Sequence, residues 1–264
     1  MKKSVSILTI SQLSRFQCLL NLAHLIALQD YLHIIEWVIV EGSQTETDAL
    51  QNSINIQNHF SNYKIKVKYI EYSKGCALSD LRNKGNHACM GDIIVVMDDD
   101  DYYPPCRVSH AVDKLQKSDC QIAGTSKVYM YDFELNKLFQ FKGFGAYHAT
   151  NSTMAYTRQY LTWNWHEPGL KQGEEKSFTR GFRNFMVQLN PNKNAIISAH
   201  GANTVCKKMF SNGCLDGSLN TLEVVNKPIT DFIPQDILDA MVKAVSSDKA
   251  ISSDKAISTD TDKV

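Results

Sequence analysis

The chain has 264 residues and 43% of them are hydrophobic, so it can form one or two globular domains with a full core. Its 28 lysine and arginine residues balance its 28 aspartate and glutamate residues, and a net charge of zero excludes a global attraction to nucleic acid or to an anionic membrane. The seven cysteines are scattered and form no CxxC pair, which predicts free thiols rather than a disulfide framework or a zinc site. The sequence shows no signal peptide and no apolar run of membrane-spanning length, so we expect a cytoplasmic protein with no membrane span.

Residues 5–97 alternate between strand and helix patterns. We predict strands over Val5–Ile10, Glu36–Val40, Lys64–Ile70 and Ile93–Met97, and helices over Ser14–Gln29, Thr45–Phe60 and Leu78–Cys89. Lys64–Ile70 alternates lysine with apolar residues, as a strand near a sheet edge does. Strict alternation of strand and helix predicts an α/β fold with a parallel, doubly wound sheet and right-handed crossovers.

The fourth predicted strand, Ile93–Met97, is apolar throughout and is followed at once by four aspartates, Asp98–Asp101. A strand of this kind is typical of a sheet that is buried on both faces. Four neighbouring carboxylates repel one another, so the cluster is costly unless a cation or hydrogen-bond donors lie among them. Oxygen ligands suit Mg²⁺ or Mn²⁺, and we therefore predict a divalent-cation site here; the alternative is a solvated acidic turn.

Polar residues also follow the first two strands, as Ser11-Gln12 and as Glu41-Gly42-Ser43. In parallel sheets, ligands bind beyond the carboxyl ends of the strands. Together with Asp98–Asp101, these polar strand ends predict one crevice at a single edge of the sheet.

The second half of the chain has shorter elements in a mixed order. The pattern predicts a helix over Arg107–Gln116, a hairpin of Lys127–Tyr131 and Lys137–Phe141, and strands over Ser152–Thr157 and Ala195–Ser198. We expect these elements to form a smaller sheet region that covers the crevice and binds a second substrate.

The end of the chain changes character. Gln235–Val245 is amphipathic and predicts a helix, whereas Ser246–Ile251 repeats as Ser252–Ile257 and predicts a low-complexity tail or linker that buries no core. The expected organisation is a single domain over residues 1–232, with halves at 1–105 and 106–232, then a terminal helix over 233–245 and the tail over 246–264. Such a tail leaves room for further domains after it.

The motifs of residues 4–105, taken in order, resemble those of the family 2 glycosyltransferases of the GT-A fold. They are the opening strand Val5–Ser11, Val40–Ser43 at the end of the second strand, Leu81–Gly85 with its Arg-Asn pair, Gly91–Ile93 before the fourth strand, and Asp98–Asp101 at the family's Asp-x-Asp-Asp. The ordered set is specific, whereas an isolated Asp-x-Asp is weak. The resemblance implies a GT-A (Rossmann-like) α/β fold, in which a mostly parallel central sheet is flanked by helices and joined by a smaller acceptor-side sheet region.

The resemblance also implies a function and a donor site. The function is metal-dependent transfer of a sugar from a UDP-sugar or related nucleotide-sugar to the hydroxyl of a glycan or other acceptor, with Mn²⁺ or Mg²⁺ as cofactor. Asp98 would contact the ribose, Asp100 would bind the metal, and His200 would complete the metal site. The nucleotide-sugar set that the resemblance implies is Thr9, Ser11, Glu41, Ser43, Asp80, Arg82, Asp98 and Asp99. Helix capping or surface solvation is the ordinary alternative for such polar residues.

Inverting members of the family use a carboxylate ahead of a helix as the general base. Glu175 matches that position, with Glu174 beside it, although two glutamates in the first turn of a helix also favour the helix dipole. Trp163, Trp165 and His166 lie in an aromatic loop. They are candidates for stacking on a sugar acceptor, and packing in the core is the alternative.

Other classes stay open at this point. A phosphatase of the haloacid dehalogenase type also ends an apolar strand in Asp-x-Asp, but there the strand is the first one and a Thr or Val stands where this chain has Tyr102. A nucleotidyltransferase would have a glycine-rich basic loop after the first strand, and Thr9–Arg15 contains no glycine. A non-catalytic sugar-nucleotide-binding module would keep Asp98–Asp101 without a general base, and the pair Glu174–Glu175 argues against it.

Overall fold

A computed structural model describes residues 2–12, 15–42, 54–55, 57–58, 61, 65–71, 76–201, 203 and 207–258, with the backbone alone for residues 247–258. Ser43, one of the expected site residues, lies outside these ranges. The same is true of most of the predicted helix Thr45–Phe60.

The described residues form eleven strands and six α-helices. The strands are β1 Val5–Ser11, β2 Ile34–Glu41, β3 Lys66–Glu71, β4 Ile93–Val96, β5 Ile122–Gly124, β6 Tyr129–Asp132, β7 Lys137–Phe141, β8 Ala155–Thr157, β9 Met186–Gln188, β10 Ile196–Ala199 and β11 Leu222–Val224. The helices are α1 Phe16–Ala27, α2 Leu78–Ala88, α3 Arg107–Gln116, α4 Glu174–Phe178, α5 Lys208–Leu215 and α6 Gln235–Ser258. A short 3₁₀ turn, Asn151–Thr153, precedes β8 where the sequence predicted continuous strand.

Seven strands form the central sheet, in the order β3-β2-β1-β4-β8-β5-β9. The pairs β3–β2, β2–β1, β1–β4 and β5–β9 are parallel, whereas β8 is antiparallel to both β4 and β5. The predicted mostly parallel α/β sheet is therefore confirmed, and β3 lies at its edge as the lysine alternation indicated.

Helices cover both faces of the central sheet because its inner strands are apolar on both faces. Ile7 of β1 packs into the core on the side of α1 and α3, and the next residue, Leu8, packs into the core on the side of α2. Gly85 allows α2 to approach β1 closely, since a Cβ atom at this position would lie 2.3 Å from Leu8 Cδ1. This close contact holds the N-terminal half of α2, which carries Arg82, at the carboxyl ends of the strands.

The smaller sheet has the order β10-β6-β7-β11, and β6 and β7 form the predicted hairpin. It is joined to the end of β4 through Tyr102 and Ile196, which exchange backbone hydrogen bonds of 3.0 and 2.9 Å. The smaller sheet therefore lies against the residues that follow β4, where we expected it.

The last helix, α6, covers Gln235–Ser258 and extends beyond the predicted end at Val245 into the repeats. Its residues Ala244 and Val245 pack against Cys18 of α1. Five cysteines of the described part of the chain are free thiols, as predicted: Cys76, Cys89, Cys106, Cys120 and Cys214. None of the described helices combines the length and the apolar character that a membrane crossing requires.

Candidate active site

The four aspartates after β4 lie on a turn that is tied to its surroundings at both ends. At the start of the turn, Asp98 N–H donates to the hydroxyl of buried Tyr103 (2.6 Å). Just beyond the turn, Tyr102 pairs with Ile196 of the smaller sheet. The turn therefore holds four carboxylates in a fixed position between the two sheets, and we call it the acidic turn.

Asp99 is buried and points toward β1. Its carboxylate accepts hydrogen bonds from Ser11 Oγ (2.7 Å) and from Arg15 Nη1 (2.9 Å). Burial raises the pKa of Asp99 to about 6, because the charge of Arg15 offsets the loss of solvent only in part. Ser11 reaches Asp99 because β1 and β4 are parallel neighbours, so the predicted meeting of these two strand ends is confirmed.

Asp100 is surrounded by donors. Its Oδ2 atom lies 3.1 Å from Arg15 Nη1, 3.1 Å from His200 Nε2 and 2.9 Å from Asn203 Nδ2. Burial opposes ionisation, but the charges of Arg15 and then Lys207 hold the pKa of Asp100 well below its usual range. Asp100 is therefore an ionised carboxylate whose neighbour His200 comes from the end of β10.

The outer two aspartates have opposite environments. Asp101 is buried and accepts from Ser198 N–H (2.9 Å), and burial raises its pKa to about 8. Asp98 has a side chain that is 27% exposed, and its Oδ1 atom lies 3.4 Å from Arg82 Nη1. Asp101 therefore anchors the acidic turn to β10, whereas Asp98 is accessible to a ligand.

Arg82 of α2 connects the acidic turn to helix α4. Besides its contact with Asp98, Arg82 Nε donates to Glu174 Oε1 at 2.7 Å. Arg82 is 5% exposed and Glu174 is 3% exposed, so this is a buried ion pair. Asn151 Nδ2 also donates to Glu174 Oε1 (2.8 Å) and lies 3.5 Å from Glu175 Oε2.

The two neighbouring glutamates are in different electrostatic states. Burial opposes ionisation of Glu174, but the charge of Arg82 outweighs it and lowers the pKa of that carboxyl. Burial and then the negative charge of Glu174 raise the pKa of Glu175. Nothing in the described part of the chain forms an ion pair with Glu175. Glu174 is thus a fixed structural charge, and Glu175 is a partly buried carboxylate with raised proton affinity.

Thr9 is buried in the interior of the central sheet. Its hydroxyl donates to Met97 O (2.8 Å) and accepts from Trp37 Nε1 (2.8 Å), and the residue is fully buried. The sheet interior therefore uses the hydroxyl of Thr9, and the expected contact of Thr9 with the nucleotide stays a prediction. Ser11 likewise contacts Asp99 and acts on the site through that carboxylate.

His166 is buried beneath α4. It is 1% exposed, and its ring is stacked on Phe178 with centroids 4.2 Å apart. Its Nδ1 atom lies 3.2 Å from Glu174 O, and burial lowers the pKa of His166 to about 4. The neutral imidazole packs under α4 and supports its first turn, and the expected acceptor role of His166 stays a prediction.

The remaining expected residues differ in exposure and in local contacts. Trp163 and Trp165 are 69% and 62% exposed, which leaves them open for contact with an acceptor and is inconsistent with core packing. Asp80 is half-buried and its Oδ1 atom lies 3.4 Å from Gly169 N, in the loop that leads to α4. Glu41 is buried at the end of β2, where it accepts a hydrogen bond from the hydroxyl of Tyr69.

Asp100 and His200 are the residues that fit a divalent cation. They offer one oxygen and one nitrogen ligand 3.1 Å apart, a donor set that suits Mn²⁺. Within the described ranges, no group of three or more His, Cys, Asp or Glu side chains is arranged to hold a metal. The donor set therefore fits an ion that takes its other ligands from a bound diphosphate, as Mg²⁺ commonly does in nucleotide sites, and does not fit a metal site made of protein alone.

Two residues of the site gave no signal in the sequence. Arg15 lies at the start of α1 and binds Asp99 and Asp100, which are 84 and 85 positions away. Asn151 lies in the 3₁₀ turn before β8 and contacts both glutamates. An arginine at a helix start and an asparagine in a turn are both common, so only the fold shows that they face the site.

Comparisons with known proteins agree with this geometry. The family model described as "Glycosyl transferase family 2" matches residues 15–173, which is more than half of the 264-residue chain. No match was found among curated protein sequences.

Solved structures share the fold at low sequence identity. The structure of S. aureus TarS 1–349 in complex with UDP-GlcNAc is 16% identical, covers 76% of this chain and 60% of that chain, and has a TM-score of 0.56. The mannosyltransferase PcManGT from Pyrobaculum calidifontis, in complex with GDP-Man and Mn²⁺, is 12% identical, covers 97% of this chain and 76% of that chain, and has a TM-score of 0.61. The chain thus spans 60% of the length of TarS 1–349. These likenesses confirm the expected fold.

Proposed function

The chain belongs to glycosyl transferase family 2, and from this premise we propose that it transfers a sugar from a UDP-sugar or related nucleotide-sugar to an acceptor hydroxyl, with inversion at the anomeric carbon. One observation carries the proposal: buried Arg82 contacts both Asp98 of the acidic turn and Glu174 of α4. A donor held at the acidic turn and an acceptor held at α4 would therefore meet on either side of one guanidinium.

The donor side of this proposal uses the acidic turn. Accessible Asp98 would accept from a ribose hydroxyl, and Asp100 with His200 would hold Mn²⁺ or Mg²⁺ at the diphosphate. When bound, the ion supplies positive charge that stabilises the diphosphate leaving group. The TarS structure with UDP-GlcNAc supports a UDP-sugar as donor, and the PcManGT structure with Mn²⁺ supports the ion.

On the acceptor side we assign Glu175 as the general base. A base must be ionised at rest yet able to take a proton. A carboxyl group with a raised pKa and no ion-pair partner among the described residues meets both needs. Glu174 is less suitable because Arg82 and Asn151 occupy its carboxylate and its pKa is lowered. Exposed Trp163 and Trp165 would contact the acceptor beside it.

The chemical step is a single displacement. The acceptor oxygen forms a bond to the anomeric carbon while Glu175 removes its proton. The bond from that carbon to the diphosphate oxygen breaks on the opposite face, and its electron pair leaves with the diphosphate. Glu175 ends protonated and returns its proton to solvent. The family match removes the support for the phosphatase alternative, whose nucleophile would be the first aspartate of the acidic turn.

The donor site is tested by calorimetric titration of the full chain with UDP, UDP-GlcNAc and GDP-Man, each with and without Mn²⁺. We expect binding that requires Mn²⁺, and we expect Asp100→Ala to abolish it. If none of the three nucleotides binds, with or without Mn²⁺, the proposal is contradicted.

The base is tested with Glu175→Gln, which keeps the size of the side chain and removes the proton acceptor. We expect transfer to fall about 10²–10⁴-fold while nucleotide affinity stays within a factor of two of wild type. Glu174→Gln serves as the comparison, since its effect should appear mainly as lost stability. Unchanged transfer in Glu175→Gln would refute the assignment of the base.

A further inference from the structure

An aromatic cleft lies outside the residues assigned so far. It has a volume of about 450 Å³ and is lined by Phe144, Gly145, Ala146, Tyr147, His148 and Phe182. The ring of His148 lies between two others, with centroids 4.8 Å from Phe144 and 4.6 Å from Phe182. None of these described lining residues is Asp, Glu, Lys or Arg, so the cleft presents ring faces and backbone rather than charge.

Both walls of the cleft continue into the residues that surround the proposed base. His148 is followed three positions later by Asn151, whose amide lies 3.5 Å from Glu175 Oε2. Three residues of chain span at most about 11 Å, so this wall is close to the carboxylate. On the other wall, Phe182 lies four residues after the end of α4 and donates its N–H to Thr179 Oγ1 (3.1 Å). The cleft therefore lies near Glu175, where the proposed function places the acceptor.

The wall that carries Phe182 is strained. Arg180, Gly181 and Phe182 have positive φ angles of 52°, 73° and 58°. The left-handed conformation is unfavourable for residues other than glycine, and strained backbone is concentrated at ligand-binding sites. Arg180 Nη2 stabilises the turn by donating to Trp163 O (2.8 Å), which also ties it to the exposed tryptophan loop.

We propose that this cleft is the acceptor subsite and that it binds an uncharged pyranose ring of a glycan acceptor. The inference rests on the proposed function and names the acceptor class. A pyranose presents polarised C–H groups on its faces, and the negative faces of aromatic rings attract them. The cleft volume lies within the range of roughly 300–1,000 Å³ that is typical of ligand pockets. A phosphorylated or carboxylated acceptor would find no countercharge among the lining residues.

His148 supplies the polar group that orients the sugar. Ser126 Oγ accepts from Phe144 N–H (2.5 Å), so its own proton is available for His148 Nδ1 at 3.2 Å. In this tautomer Nε2 carries the proton and can donate to a sugar hydroxyl. Burial lowers the pKa of His148, which keeps the ring neutral at physiological pH.

The test is saturation-transfer NMR on the full chain with methyl β-D-glucopyranoside and methyl β-D-galactopyranoside, with sorbitol as the acyclic comparison. We expect transfer from protein aromatic protons to the ring protons of at least one pyranoside, and at least threefold less to sorbitol. Phe182→Leu and Phe144→Leu keep apolar volume without the π-face, and each should reduce the pyranoside signal at least threefold. Leu32→Ala, which removes an 88% exposed side chain elsewhere, should leave it unchanged.

The inference is overturned if no pyranoside shows transfer, if sorbitol matches the pyranosides, or if both phenylalanine variants keep the wild-type signal. Nucleotide titration of the wild-type chain distinguishes failure of the proposed acceptor subsite from failure of the proposed function. Nucleotide binding together with a failed NMR experiment overturns the cleft alone, whereas failure of both overturns the proposed function as well.

Discussion

Replacement of Arg82 by leucine is expected to destabilise the fold as well as the site. Arg82 is almost fully buried and its partner Glu174 is too, with 2.7 Å between Nε and Oε1. Removing one member of a buried ion pair typically costs about 3–5 kcal/mol, because the other charge is left without a counterion. Asn151 keeps one hydrogen bond to the Glu174 carboxylate, so we expect the lower end, about 3 kcal/mol.

A double-mutant cycle isolates the pair from the rest of the packing. Arg82→Leu with Glu174→Leu removes both charges, and this double variant should recover at least about 2 kcal/mol relative to the sum of the single changes. Unfolding in urea can be followed by the fluorescence of buried Trp37. For a chain of this size, 3 kcal/mol corresponds to a fall in Tm of roughly 6–12 °C.

Two outcomes would refute this reasoning. A loss below about 1 kcal/mol in Arg82→Leu would mean that water or another cation solvates Glu174 in the folded state. If the loss of stability in the double variant equals the sum of the losses in the two single variants, the two side chains are not energetically coupled. The contact between Arg82 and Glu174 would then not stabilise the fold.

Two further predictions concern buried positions. The pKa of His166 is lowered from 6.5 to about 4 by burial, so the unfolded chain binds the additional proton in that window and stability falls as pH decreases through it. Between pH 7 and pH 4, titration of His166 should lower the free energy of unfolding of the wild-type chain by about 3 kcal/mol. The difference in free energy of unfolding between wild type and His166→Gln, measured in urea, should narrow by the same amount. Parallel plots of unfolding free energy against pH for the two chains would contradict this prediction. Gly85→Val should lower the free energy of unfolding by about 1–3 kcal/mol, because a Cβ atom would lie 2.3 Å from Leu8 Cδ1. His87→Ala, on the exposed side of α2, is the control and should lower it by less than about 0.5 kcal/mol in the same urea assay. Equal losses in the two variants would argue against the close contact.

The strands that could be predicted from the sequence are those whose pattern is strong. β1, β2 and β4 are apolar runs ended by polar residues, and their parallel pairing puts Ser11 next to Asp99 as expected. β5 and β9 have three residues each, which is too few to show a periodicity, so neither strand was predicted. Their place in the sheet depends on β8, which runs antiparallel to its neighbours and departs from the strict alternation.

The sequence allowed the residue types of the site to be predicted, but it did not show which residues contact one another. Thr9 and His166 were plausible ligand contacts because the family resemblance includes Thr9 in the nucleotide-sugar set and His166 stands in an aromatic loop. The partners that occupy them, Trp37 for Thr9 and Phe178 for His166, are distant or unremarkable in the sequence. A polar side chain in a sheet or under a helix must be satisfied internally, and the sequence does not show whether its partner will be a ligand or the protein.

The choice between Glu174 and Glu175 illustrates what the fold adds. Both stand at the start of a predicted helix, and nothing in their order distinguishes a base from a structural charge. Adjacent residues of an α-helix point in directions about 100° apart, so only one of them can face the buried guanidinium of Arg82. Glu174 takes that position and becomes a fixed negative charge beside its neighbour. Burial and the charge of Glu174 raise the pKa of Glu175, so the ion pair that lowers the pKa of Glu174 also favours the proposed assignment of Glu175 as the base.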